Sequence, residues 1–166
     1  MHSLETFSAW LALTPLSQAI QTVEWIIPAV QTVHILCVAA VMSAMLMINL
    51  RLLGASAREQ RFATVAARFL PFIWWPLPIL LLTGATLVVA EPGRSLQNPV
   101  FVLKMGLLLA VIAVTLICQI PLGRNAEFWE LSSGRRRAGR VIAALSLPLW
   151  IGIVFAGRWI AYIQAA

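Results

Sequence analysis

Charge is scarce in this sequence. Only 11% of its 166 residues are charged and six are acidic, whereas a typical soluble domain has about 25% charged residues. The six acids sit in the N-terminal segment, at the edges of apolar runs or in the polar stretches between them. No pair of carboxylates is therefore available inside an apolar segment for general acid–base chemistry. Proton-driven transport through a buried carboxylate relay is disfavoured for the same reason. There is no glycine-rich phosphate loop and no CxxC pair, which removes the usual nucleotide-binding and dithiol readings. The two cysteines, Cys37 and Cys118, both lie in apolar runs, and buried free thiols are expected rather than a disulfide. Histidine is nearly absent as well: apart from His2 beside the initiator, His34 is the only one.

Apolar residues are abundant. They make up 61% of the chain, and the mean hydropathy is +0.89, the composition of an integral membrane protein. A helix needs about 20 apolar residues to cross the hydrocarbon core. Four runs qualify, at residues 25–53, 69–90, 100–122 and 141–163. Backbone polar groups in lipid must pair within the protein, so the expected fold is all-α. Short connections make it an up-and-down four-helix bundle, a single membrane domain over residues 1–166. The opening MHSLETFSAW carries no Lys or Arg, unlike a secretory signal. Leu4, Phe7 and Leu11, with Trp10 alongside, fall on one helical face, which predicts an amphipathic surface helix over residues 3–20.

The net charge of +6 does not point to nucleic acid, because the arginines cluster in two loops between apolar runs. The first loop has Arg51, Arg58, Arg61 and Arg68; the third has Arg124, Arg135, Arg136, Arg137 and Arg140. The second has Arg94 with Glu91. The excess of positive charge places loops one and three in the cytoplasm and both termini on the periplasmic side of a bacterial inner membrane. In the second run, PFIWWPLP, Pro78 lies deep enough to remove a backbone hydrogen bond and kink the helix. Trp74 and Trp75 are expected at the interface.

Within this layout three ionisable residues stand out. His34 lies about 13 Å below the outer interface at about 1.5 Å per residue, Lys104 about 6 Å and Arg158 about 7 Å. They come from three different spans, and ionisable groups at such positions face a cavity or a partner. Lys104 and Arg158 are shallow enough to snorkel; His34 is too short to do so. A neutral imidazole bonded to a neighbouring helix is one explanation, and a metal or haem ligand another. Haem b needs an axial ligand within an apolar cleft and cations for its propionates. His34 supplies the ligand, Lys104 a sixth ligand or a propionate partner, and Arg158 a propionate partner. Gly84, Gly106, Gly152 and Gly157 offer room for a macrocycle or for helix packing. One chain cannot build a bis-histidine site from buried residues, although a homodimer would let two His34 residues flank one haem. Copper is the rival metal: His34 and Cys37 share a helix face, and Met42 and Met45 follow as soft ligands. A cofactor-free membrane anchor or accessory subunit of a larger complex, held to its partner through the surface helix and the Met-rich face, is another reading. The expected partners of the protein are the bilayer and a protein of a redox complex.

The segments TVHILCVAAVMSAMLMINLRLLG, LLLTGATLVVAEP, NPVFVLKMGLLL and LSLPLWIGIVFAGRWIAY resemble an uncharacterised family of small four-helix bacterial inner-membrane proteins. The resemblance covers nearly the whole chain. More distantly, the histidine of the first span and the FVLK of the third are similar to the CopD and HemJ superfamily. HemJ-type protoporphyrinogen oxidases are haem b proteins in which a histidine and a lysine at such places matter. That resemblance implies functional roles for His34 and Lys104. Members of the nearer family often carry a histidine at the cytoplasmic end of the third span, where this chain has Gln119.

Overall fold

The computed structural model describes residues 2–56, 59–125, 127–160 and 162–163. Arg58 and the side chain of His2, both noted above, fall outside the described part. The described residues form helices and turns without strands, so the fold is all-α. Four helical stretches are long and apolar enough to cross a membrane: Ile26–Leu53, Phe62–Ala90, Pro99–Leu122 and Ser133–Trp159.

In chain order the helices are α1 (His2–Ala12), α2 (Pro15–Thr22), α3 (Ile26–Leu53), α4 (Phe62–Phe69), α5 (Pro71–Trp74), α6 (Pro76–Ala90), α7 (Pro92–Leu96), α8 (Pro99–Arg124) and α9 (Ser133–Trp159). The expected single helix over residues 3–20 is instead two, parted at Leu13 and Thr14. Pro15 opens α2 at its first turn and the Thr14 hydroxyl caps it, accepting from the Ser17 N–H at 3.3 Å. Both are strong start signals. The exposed face of this N-terminal pair carries Leu4, Phe7, Trp10, Leu13 and Leu16.

The second crossing starts earlier than its apolar run. Phe62, Val65 and Ala66 lie on one face of α4 and are buried. Arg61 and Arg68 stay exposed at its ends. Leu70 and Trp75, immediately before Pro71 and Pro76, keep right-handed helical dihedrals, so the crossing stays one helical stretch from Phe62 to Ala90. Pro71, Pro76 and Pro78 each take one N–H donor out of its hydrogen-bond ladder. α9 likewise begins before its apolar run. The Ser132 hydroxyl caps it, accepting from the Arg135 N–H at 3.2 Å, so the arginine-rich stretch is helical. Gly54 ends α3 in the left-handed region, φ 76°. The N–H groups of Gly54 and Ala55 close on the carbonyls of Arg51 and Leu50 at 3.1 and 2.9 Å, which satisfies groups that a helix end leaves orphaned.

α3 packs on α6 and on α9, and α9 packs on α8. The spans therefore run α6–α3–α9–α8 in space. α6 and α8 are not packed against one another along their lengths. Loops one and three meet at one end, the inner end as the arginines define it. There Glu130 accepts from Arg51 at 2.5 Å and from the Phe62 N–H at 3.3 Å. Arg136 donates to the Glu130 carbonyl, and the Trp129 indole N–H donates to the Cys118 carbonyl at 3.0 Å.

At the outer end, polar side chains of α1 and α2 complete the backbone of the spans. Ser17 donates to the Val89 carbonyl at 2.7 Å and Gln21 to the Ala90 carbonyl at 2.8 Å. Gln97 donates to the Ser8 hydroxyl at 2.8 Å. Asn98 closes two helices: its carbonyl oxygen caps α8, accepting from the Val100 N–H at 2.9 Å. Its amide donates to the Ile163 carbonyl at 2.7 Å and the Ile160 carbonyl at 3.4 Å, beyond the end of α9. These contacts supply partners for carbonyls that helix ends leave unpaired.

The hydrophobic core occupies the middle and inner part of the bundle. It is built from Val41, Met45, Ile48, Phe62, Val111 and Trp150, among others. Toward the outer end it stops at Val41 on α3, Leu80 on α6, Leu107 on α8 and Ile153 on α9.

Candidate functional site

Beyond the level where the core stops lie His34, Thr83, Lys104 and Gly157, one from each span. His34 is half-buried on α3, and its Nδ1 is 2.8 Å from the Thr83 Oγ1 on α6. The direction of this bond follows from valence. The Thr83 hydroxyl donates to the Ile79 carbonyl at 2.7 Å, with the Leu80 carbonyl at 3.3 Å. A hydroxyl has one proton, so Thr83 accepts from the ring. Nδ1 of His34 thereby carries a proton, and in the neutral ring Nε2 carries the free lone pair. Among the described residues Nε2 has no hydrogen-bond partner. A fixed Nδ1–H with an open Nε2 is the arrangement of a metal-ligating histidine.

Gly84, next to Thr83, makes space for the ring: a Cβ there would stand 3.6 Å from the His34 Cε1. Lys104 on α8 is half-buried and lies over Gly157 of α9. A Cβ at Gly157 would stand 3.5 Å from the Lys104 Nζ. His34 precedes the buried Val41 on α3, and Lys104 precedes the buried Val111 on α8, each by two helical turns, so both lie on the core-facing sides of their helices. Among the described residues Lys104 has neither a carboxylate partner nor a hydrogen bond. Glu91, the nearest acid in sequence to this end of α8, is spent on Arg94 at 2.6 Å.

Arg158 is placed differently. It is exposed, donates to the Tyr162 hydroxyl at 3.0 Å and lies 5.4 Å from the centre of that ring. The structure thus sets His34 and Lys104 on the core-facing sides of α3 and α8, while Arg158, one residue along from Gly157, is held by Tyr162. Of the soft side chains, Cys37 is half-buried and free, Met45 is part of the core, and Met42 packs against it. Among the described residues no group of three or more His, Cys, Asp or Glu side chains is placed to hold a metal.

Thr83 was not singled out from the sequence. Its signal was a hydroxyl beside a glycine in an otherwise aliphatic run, LLLTGATLVV, opposite a span with one histidine. Gln119 has a structural role at the inner end, accepting from the Trp74 indole N–H at 3.1 Å. Its amide nitrogen, that of Asn49 and the Trp150 indole nitrogen are buried without hydrogen-bond partners among the described residues. Asn49 and Gln119 adjoin a small cavity that Met45, Thr115, Cys118 and Ser146 also line. It has about 20 Å³ of room for the centre of a water molecule, enough for about one.

Fold and composition define a polytopic helical membrane protein, with a histidine and a lysine on core-facing sides of two of its spans. By family, the chain belongs to a family of unknown function, DUF6644, whose model matches residues 15–163. No curated protein and no solved structure matches it.

Proposed function

We propose that this protein is a haem b-binding redox protein, or a redox-complex subunit, of the bacterial inner membrane, with both termini on the periplasmic side. His34 is the axial ligand through Nε2. Lys104 serves as the sixth ligand or as a propionate partner, and Arg158 pairs with a propionate at the outer edge. The observation that carries this reading is the Thr83 contact, which spends the Nδ1 proton and leaves Nε2 open on the outer side of the core. The side chains fit the group. The imidazole offers a nitrogen ligand and Lys104 a cation unpaired among the described residues, the two needs of an anionic macrocycle. The resemblance to the CopD and HemJ superfamily supports the same two residues.

The test is the absorption spectrum of the purified protein in mild detergent, oxidised and dithionite-reduced, after expression with added haem. A stoichiometric Soret band that disappears in His34→Ala is the expected result. A colourless wild-type protein despite added haem overturns the proposal, and copper retained through His34 would redirect the assignment to that metal.

A further inference from the structure

We propose that the His34–Lys104 site is entered sideways from the bilayer, and that the ligand class it admits is an acidic amphiphile dissolved in the outer half of the membrane. The inference rests on the reading that His34 and Lys104 line one site, and not on that site holding haem.

Three observations lead there. The α3 and α6 side of the outer end is roofed by α1, α2 and α7: α2 packs on α3 and α6, α1 on α6 and α7. Ser17, Gln21 and Gln97 bond this roof in place. Toward the inner end the way is closed by the core, where Val41, Val111 and Ala143 are almost wholly buried. Between α6 and α8 there is no such closure. The two helices are not packed together along their lengths, and the Trp74–Gln119 bond joins this side of the bundle near its inner end, far from His34. His34 is fixed to α6 and Lys104 lies against α9, so they stand on opposite sides of this seam, and both stay partly accessible. The flanks of the seam, Leu81 and Leu82 on α6 and Val102 and Leu103 on α8, are exposed and apolar, suited to lipid contact.

The ligand class follows from charge. A half-buried ammonium without a carboxylate is an incomplete pair, and in low dielectric a partner anion gains more than it would in water. A ligand arriving through an apolar seam must itself be largely apolar. An acid group on an apolar body meets both demands.

The experiment uses the full-length, haem-free protein in lipid nanodiscs and reads the NMR signal of the His34 Hε1–Cε1 pair, assigned with a His2→Gln variant. A phospholipid carrying a doxyl label on its acyl chain should broaden this signal, and a water-soluble gadolinium chelate should leave it sharp. Oleate should then shift it, oleyl alcohol should not, and Lys104→Met should weaken the oleate response about tenfold or more, as for loss of a charge-assisted contact. Broadening by the chelate, or by neither agent, overturns lateral entry. Equal responses to oleate and oleyl alcohol overturn the acidic class. Because the protein is haem-free, these outcomes are independent of the spectrum that decides the haem reading.

Discussion

Replacing Thr83 by valine removes one oxygen and keeps the shape of the side chain, so it isolates the contact that sets the tautomer of His34. In the haem-free protein the loss is that of one half-buried hydrogen bond at 2.8 Å, about 0.5–1.5 kcal/mol. If haem binds through His34 as proposed, more would be lost, because the ring would be freed to rotate and to move its proton to Nε2. Removing such a supporting partner typically costs about 10–100-fold in affinity, or about 1.4–2.8 kcal/mol at about 1.4 kcal/mol per decade. Thr83→Ser keeps the acceptor and should stay within a few-fold of wild type. The assay is a spectrophotometric haem titration of the purified apoprotein and both variants. Equal affinities for Thr83→Val and wild type would refute the tautomer argument. So would a Thr83→Ser protein as weak as Thr83→Val.

Other consequences separate close-packed positions from ornamental ones. Gly84→Ala and Gly157→Ala should be neutral or raise the melting temperature slightly, since a Cβ meets its neighbours at ordinary distances of 3.6 and 3.5 Å and a helical alanine gains up to about 1 kcal/mol over glycine. Gly84→Leu should instead displace the imidazole and abolish haem retention while leaving helix content by circular dichroism unchanged. Glu130→Gln should destabilise the protein by about 1–3 kcal/mol in denaturant unfolding, because Arg51 and the Phe62 N–H both converge on that carboxylate and Arg51 is largely shielded from solvent. Arg61→Ala breaks the exposed pair with Glu127 and should change stability by less than about 1 kcal/mol. Asn98→Ala removes the cap of α8 and the donors to the end of α9, and should cost about 1–3 kcal/mol in the same unfolding assay.

The four crossings could be read from hydropathy because lipid imposes one requirement, that backbone groups pair within the helix. The ends of those helices could not. The stretch from Phe62 to Phe69 looked like loop because it is flanked by arginines. Its Phe62, Val65 and Ala66 face was nonetheless a helical pattern, and burial against α3 realised it. The arginine-rich start of α9 was hidden in the same way behind charge that faces outward. At the site, His34 and Lys104 announced themselves as ionisable groups in apolar spans. Thr83 did not, since its importance depends on which span lies opposite His34. The roof contacts of Ser17 and Gln21 were equally silent, because short polar side chains near a helix end acquire meaning only from the carbonyls they meet.

Asn98 ties the first residue pair of one crossing to the last carbonyls of another, and so acts as the zero mark of a ruler. Measured from that mark, Lys104 lies a fixed climb down α8, and Gly157 lies at the matching height on α9. A slide of one helix past the other by a single turn, about 5.4 Å, would carry the lysine off its glycine. The height of that ammonium in the bundle is thus set at the rim, by an uncharged amide that does not touch it.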